Sequence, residues 1–167
     1  MVDSKELTVG EKIGTLPVPP AKAGYRFDGW YDVDDNKITE NSTFEASVVE
    51  LNAKWVLQTV ITFTAEGGTI NGEATKSIDA GTAIGTLPTA TIDVAGEAFG
   101  GWLTADGKLV DENTVFAADV TAITLTASFG WDGETVSESL SGEGTEEAPY
   151  LISSGADLAY LASSVNG

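Results

Sequence analysis

The chain contains no cysteine and no histidine. Disulfides, thiol nucleophiles, thiolate zinc sites, imidazole ligands and Ser-His-Asp triads are therefore excluded. Positive charge is scarce as well: 8 Lys and Arg stand against 26 Asp and Glu, a formal charge of −18 over 167 residues. A surface this acidic repels phosphate backbones and anionic lipid heads, which makes nucleic acid and membrane surfaces poor partners. Long apolar runs are missing too. The longest, Leu158 to Ala162, is far too short to span a bilayer, so no membrane insertion is expected in this segment.

The hydrophobic fraction of 42% supports packed cores rather than a disordered acidic chain. Carboxylates, a few amines, hydroxyls and four Trp are the chemistry that remains. Among so many acids, close carboxylate pairs arise by chance, so a glycosidase-like pair cannot be singled out. No residue is assigned a catalytic role, the chain is read as not an enzyme, and no cofactor is expected.

Self-similarity is the strongest signal. Ile13-Gly14-Thr15-Leu16-Pro17 recurs unchanged as Ile84-Gly85-Thr86-Leu87-Pro88, each copy preceded at equal spacing by a glycine, Gly10 or Gly81. Gly24-Tyr25-Arg26-Phe27-Asp28-Gly29-Trp30 then aligns with Gly96-Glu97-Ala98-Phe99-Gly100-Gly101-Trp102. Glu40-Asn41 with Phe44 aligns with Glu112-Asn113 with Phe116, and Leu51-Asn52-Ala53-Lys54-Trp55 returns as Leu125-Thr126-Ala127-Ser128-Phe129. The offset drifts from 71 to 72 to 74 residues, which places small insertions between the blocks, where loops tolerate them. The second copy opens with Val60-Ile61-Thr62-Phe63-Thr64 and two Gly-containing turns. The first has only a few residues before Gly10, so it is expected to lack its opening strand and turn, as in a fragment of a longer chain. Absence of an export signal then carries no weight for compartment.

Locally the reading is β. Val49, Leu51, Ala53, Trp55 and Leu57 alternate with Glu50, Asn52 and Lys54, and Ile123, Leu125, Ala127 and Phe129 with Thr124, Thr126 and Ser128, which is the period of a half-buried strand. Asn71-Gly72 and Asp106-Gly107 are hairpin signals. A short amphipathic helix is expected in the last dozen residues, with Leu158, Leu161 and Val165 on one face, Ser154 as N-cap and Asp157 reaching back to it. The domains follow: 1–57 as the first repeat, 58–129 as the second, complete repeat, and 130–167 as a junction and capping segment.

The ordered blocks resemble the Listeria-Bacteroides repeat, also called the internalin B repeat, over residues 5–57 and 58–129. The resemblance implies mainly β, tandem β-grasp-like units strung along extracellular bacterial cell-surface proteins, with spacer, adhesion or co-receptor roles. The second copy departs from the pattern at Leu103, after Trp102, and at Phe129, where the first has Tyr31 and Trp55; apolar bulk is kept at both. Residues 131–167, with Trp131-Asp132-Gly133, Gly142-Glu143-Gly144 and Pro149-Tyr150-Leu151-Ile152, resemble the lead-in of right-handed β-helix adhesins with GLUG-type repeats. There an amphipathic helix covers the open first coil.

Three indoles are candidate binding residues, because an exposed indole stacks on a pyranose face. Trp30 and Trp102 occupy equivalent positions in a block retained by both repeats, which favours core packing. Trp131 opens a Gly-rich junction and is the better candidate, with a wedge between modules as its structural reading. Asp32, Asp34 and Asn36 reproduce the first ligand spacings of a calcium loop, but Lys37 and Thr43 stand where that loop needs Gly and Glu, so a polar hairpin turn is the default.

The functional expectation is a non-catalytic module of a bacterial cell-surface protein that projects a β-helical adhesin. Its partners would be a host or bacterial surface glycan or protein, with a weak edge-paired dimer as a further outcome. The alternative is an accessory carbohydrate-binding segment of a secreted polysaccharide-degrading enzyme.

Overall fold

The computed structural model describes residues 5–46 and 50–166, the side chain of Asn166 excepted. Val49, at the head of the first alternating run, lies outside the described residues. The chain is mainly β with one short C-terminal helix, in the order β1 (Tyr25–Tyr31), β2 (Lys37–Ile38), β3 (Asn52–Thr64), β4 (Gly68–Asn71), β5 (Thr75–Asp79), β6 (Thr89–Ile92), β7 (Glu97–Leu103), β8 (Leu109–Val110), β9 (Ala122–Trp131) and α1 (Gly155–Asn166). Two units are distinguished. The first comprises Met1–Thr59, Ser77–Thr82 and Phe116–Thr121; the second comprises Val60–Lys76, Ala83–Val115 and Ala122–Gly167. The 13-residue strand β3 belongs to the first unit up to Thr59 and to the second from Val60.

In the first unit β1 lies between β2 and the beginning of β3, antiparallel to both. In the second, β7 lies between β8 and the end of β9, again antiparallel, and the start of β9 pairs in parallel with Val60–Thr64 of β3. The Phe-x-Gly-Trp block explains itself in this geometry. Phe and Trp are three residues apart, and an unbroken strand would send them to opposite faces. A register shift between Phe27 and Gly29, and between Phe99 and Gly101, inserts a bulge that returns both rings to one face. At Gly101 the bulge has φ of 126° and Leu109 lies where a Cβ would go, so glycine is required there.

The Ile-Gly-Thr-Leu-Pro block is equally geometric. Ile13 and Ile84 are 2% and 1% exposed. Their amides donate to Ser42 and Thr114 carbonyls at 2.9 and 3.0 Å, and the amides of Gly14 and Gly85 donate to those of Glu40 and Glu112 at 2.9 and 2.8 Å. The Glu-Asn-x-x-Phe turn is thereby tied back to the isoleucine block in both copies.

The two cores differ. Among the described residues, Ile61, Phe63, Ile84, Ala90, Trp102, Val110, Leu125 and Ala156 are buried apolar side chains of the second unit, whereas in the first only Ile13 is comparably buried. Of the recurring apolar positions of the second copy, Ile84, Trp102 and Leu125 are fully buried and Leu87, Phe99 and Phe129 half-buried, while Phe116, also half-buried, falls in the first unit.

Two local expectations are corrected. Asp106-Gly107 does join paired strands, β7 and β8, but Asn71-Gly72 does not: β4 pairs with β6, and β5 pairs with β3. Gly68 allows that exchange, because its bare Cα sits against the Thr91 carbonyl and the Phe129 ring, where a Cβ would come within 2.6 Å of each. In α1 Ala156 is buried and Ala159, Tyr160 and Leu161 are half-buried, so of the expected face only Leu161 is partly covered, while Leu158 and Val165 are 57% and 72% exposed. The helix is held at its first turn, by Ser154, Asp157 and Gly155, and that anchorage sets its rotation.

Candidate functional site

Trp102 is 1% exposed. Its ring meets Phe63 at 4.8 Å and Phe99 at 5.3 Å between centroids, and its indole N–H donates to the Pro88 carbonyl at 2.7 Å. That bond joins the Gly-Trp block to the Leu-Pro block, which accounts for their joint recurrence. Trp30 repeats the bond, to Pro17 at 2.8 Å, and packs against Phe27 at 5.7 Å, but it stays half-buried. Among the described residues no ring stands on Trp30 as Phe63 stands on Trp102. The two indoles are thus fold elements at equivalent places, unequal in exposure.

Trp131 is 44% exposed and ends β9. Its N–H donates to the Thr135 carbonyl at 2.7 Å, and Asp132 holds the intervening turn by accepting from the amides of Glu134 and Thr135 at 2.9 and 2.7 Å. Hydrogen bonds from Thr135 and these amides keep the Asp132 carboxyl below its usual pKa. One side of the indole lies on Gly155, where a Cβ would collide with it. A capping box follows: the Asp157 amide donates to Ser154 Oγ at 3.1 Å, and Asp157 Oδ2 accepts from the Ser153 and Ser154 amides at 2.9 and 3.1 Å. Ser137 also donates to Asp157, at 2.6 Å, and its hydroxyl is the foremost reason that this carboxyl is shifted well below its ordinary range.

Asp32, Asp34 and Asn36 share one turn, but the Asp32 carboxylate is engaged inward. Its Oδ1 accepts from the amides of Asp34 and Asn36 at 3.0 and 2.8 Å, and the Asn36 side-chain amide donates to Oδ2 at 3.0 Å. The Asn36 side chain is the main reason that the Asp32 pKa is lowered. Asp35 has positive φ, 69°, and pairs with Lys54. In the second unit Thr104 takes the place of Asp32, accepting from the Lys108 amide at 3.1 Å. Among the described residues no three acids converge as a metal site would require.

One ionic constellation was not foreseen from the sequence. Arg26 forks onto Asp79, Nε to Oδ1 at 3.0 Å and Nη2 to Oδ2 at 2.8 Å, and Gln58 donates to Oδ1 at 2.6 Å. These bonds, that of Arg26 first, lower the Asp79 pKa to about 2. The partners are 53 residues apart in sequence, and Arg26 stands within a repeated block at a position that is Ala98 in the other copy, so no periodicity announces the pair. In the second unit Phe63, Leu87 and Pro88 line a shallow groove with Glu73 and Lys76, whose ammonium donates to the Thr86 carbonyl at 2.7 Å.

What the two copies share, then, is a set of structural bonds: paired backbone ties at isoleucine and glycine, a bulge, and an indole donated to a prolyl carbonyl. Fold and repeated contacts define a mainly β repeat module. The chain belongs to the Listeria-Bacteroides repeat domain family, whose model matches residues 2–54 and 60–128. That repeat is typical of bacterial surface proteins. No curated protein and no solved structure matches the chain. Among the described residues no helix is long and apolar enough to cross a membrane.

Proposed function

We propose that the chain is a non-catalytic module of a bacterial cell-surface protein, with a spacer role in presenting an adhesive part. The observation that carries this reading is where the repeated residues are spent. Ile13 and Ile84, Gly29 and Gly101, and Trp30 and Trp102 all serve equivalent packing or backbone contacts. A repeat that keeps its scaffold and varies its exposed turns, as Asp32 and Thr104 do, suits a role in which length and rigidity matter more than a shared pocket.

The C-terminal segment supports the β-helix part of the proposal. Tyr150, Leu151, Ile152 and Leu158 are 55%, 59%, 48% and 57% exposed around a helix capped by Ser154 and Asp157, and stacking coils would bury such apolar side chains. A specific observation also favours the second reading, an accessory carbohydrate-binding segment: Trp131 is held rigidly by Thr135 and Gly155 with part of its indole exposed. A screen of the chain against glycans and host-matrix proteins separates the two. Glycan binding abolished by Trp131→Ala would select the carbohydrate role, whereas protein-ligand binding, or none, indifferent to Trp131 supports the surface spacer.

A further inference from the structure

Asn-Gly and Asp-Gly pairs can rewrite their own backbone, because a glycine nitrogen with no Cβ beside it can reach the carboxyl or amide carbon of the side chain before it. The Asp-Gly pairs of this chain are guarded. Asp28 accepts from the Tyr31 hydroxyl and the Lys37 ammonium, Asp106 accepts from the Thr104 hydroxyl, and Asp132 accepts from the amides of Glu134 and Thr135. The Gly107 amide is itself engaged, donating to the Thr104 carbonyl at 2.9 Å. Hydrogen bonds, from Tyr31, Thr104 and Thr135 first, hold the three carboxyls below their usual pKa, and an ionised carboxylate resists attack by a nitrogen nucleophile.

Asn71-Gly72 has none of these guards. Asn71 is exposed at the end of β4, and among the described residues neither its side-chain amide nor the Gly72 N–H makes a hydrogen bond. Strand β4 has 4 residues and belongs to a two-stranded sheet in which Asn71 and Thr89 form the last pair. A ladder this short opens readily at its end, which frees the Asn71 side chain to turn onto the next nitrogen. The remaining asparagines lack that opportunity. Asn36 donates to Asp32, Asn41 accepts from Lys12, and Asn36, Asn41, Asn52 and Asn113 are each followed by a residue with a Cβ. Asn166-Gly167 runs into residues outside those described.

We infer that Asn71-Gly72 is a self-modification site, at which the second unit converts an amide to an acid with water as the co-reactant. The Gly72 nitrogen bonds to Asn71 Cγ and gives up its proton, the Cγ–Nδ2 bond breaks, and ammonia carries that proton away and leaves a cyclic imide. Water then opens the ring. Addition at Cγ gives aspartate, and addition at the Asn71 main-chain carbonyl carbon gives isoaspartate, whose backbone runs through Cβ and Cγ. Either product adds a negative charge to the end of β4. Isoaspartate also lengthens the main chain by a carbon directly before Gly72, where a Cβ would already come within 3.2 Å of Pro88, and just ahead of Ala74, whose carbonyl accepts from the Phe63 amide at 2.8 Å. Loss of ammonia makes the change one-way, so an aged second unit carries a loosened β4–β6 ladder.

The test incubates the full chain in buffers of rising pH and maps amide-to-acid conversion by mass spectrometry of its proteolytic fragments, which separates Asn71 from Asn166. Isoaspartate is scored by methyl transfer from a protein isoaspartyl methyltransferase. Conversion at Asn71 should be at least about tenfold faster than at Asn52, whose neighbour Ala53 carries a Cβ. It should also quicken as pH rises, because the attacking nitrogen must lose its proton. Hydrogen exchange on the aged chain should then be faster at residues 68–71 and 89–92. An Asn71→Gln chain, whose longer side chain closes a larger ring and reacts more slowly, should keep its protection after the same incubation. Retention of the Asn71 amide, conversion no faster than at Asn52, a rate indifferent to pH, or isoaspartate forming first at Asp28, Asp106 or Asp132 would each overturn the inference. Complete conversion with unchanged exchange at 68–71 and 89–92 would overturn the loosening of the ladder.

Discussion

Replacing Trp102 by Ala measures how far the second unit depends on its indole, and the same change at Trp30 supplies an internal control. An indole buries about 150–250 Å², worth about 4–6 kcal/mol at about 25 cal/mol per Å². That is an upper figure, because the unfolded chain already hides part of this surface and alanine keeps some of the contact. Trp102 is 1% exposed, wedged between Phe63 and Phe99, and its removal also leaves the Pro88 carbonyl without its donor. A loss of about 3–5 kcal/mol is therefore expected for Trp102→Ala. Trp30 makes the equivalent hydrogen bond but is half-buried, so Trp30→Ala should cost roughly half as much, about 1.5–2.5 kcal/mol by the same area argument. Urea unfolding followed by far-UV circular dichroism gives the free energies. Segment-resolved hydrogen exchange assigns each loss to its unit, which is necessary because two units need not unfold as one. A cost below about 1 kcal/mol for Trp102→Ala would make the indole a surface feature. Equal costs at Trp30 and Trp102 would refute the argument that Phe63 completes one site and not the other.

Three further outcomes are expected. The folded pKa of Asp79 is depressed to about 2 by Arg26 and Gln58; its contribution is present above the unfolded value and is lost as pH falls from about 4 toward 2. Asp79→Asn should therefore flatten the acid limb of first-unit stability, and an unchanged limb in an acid titration followed by circular dichroism would count against the pairing. Gly101→Ala should destabilise by about 1–3 kcal/mol through the bulge's positive φ and the collision with Leu109, measurable by urea unfolding, whereas a neutral result would mean that the bulge can relax. Calcium should raise the melting temperature no more than magnesium at matched ionic strength, because Asp32 is engaged with Asn36 and screening is the only effect left to either ion; a rise of several degrees with calcium alone would place a metal in that turn.

The repeat made much of the fold legible, because each repeated residue type has a single geometric use. The alternation at Ile123, Leu125, Ala127 and Phe129 announced β9, whereas the bulge in the Phe-x-Gly-Trp block and the bond from its Trp to the Leu-Pro block came only with the structure. The pairing of β4 with β6 was illegible for the converse reason. Asn71-Gly72 specifies a turn but not which strands will meet, and the deciding contact is the approach of Gly68 to Thr91 and Phe129, far apart in sequence. The Arg26–Asp79 fork belongs to the same class of non-local facts, since the positions aligned with them in the other repeat, Ala98 and Thr8, carry no charge. Helix α1 shows the limit of periodicity: of Leu158, Leu161 and Val165 only Leu161 is half-buried, and Ala156, beside the Trp131–Gly155 contact and the Asp157 cap, is the helix's buried side chain. Leu158 and Val165 of that face stay 57% and 72% exposed. A sequence declares that such a face exists, and only the packed structure shows whether the chain itself covers it.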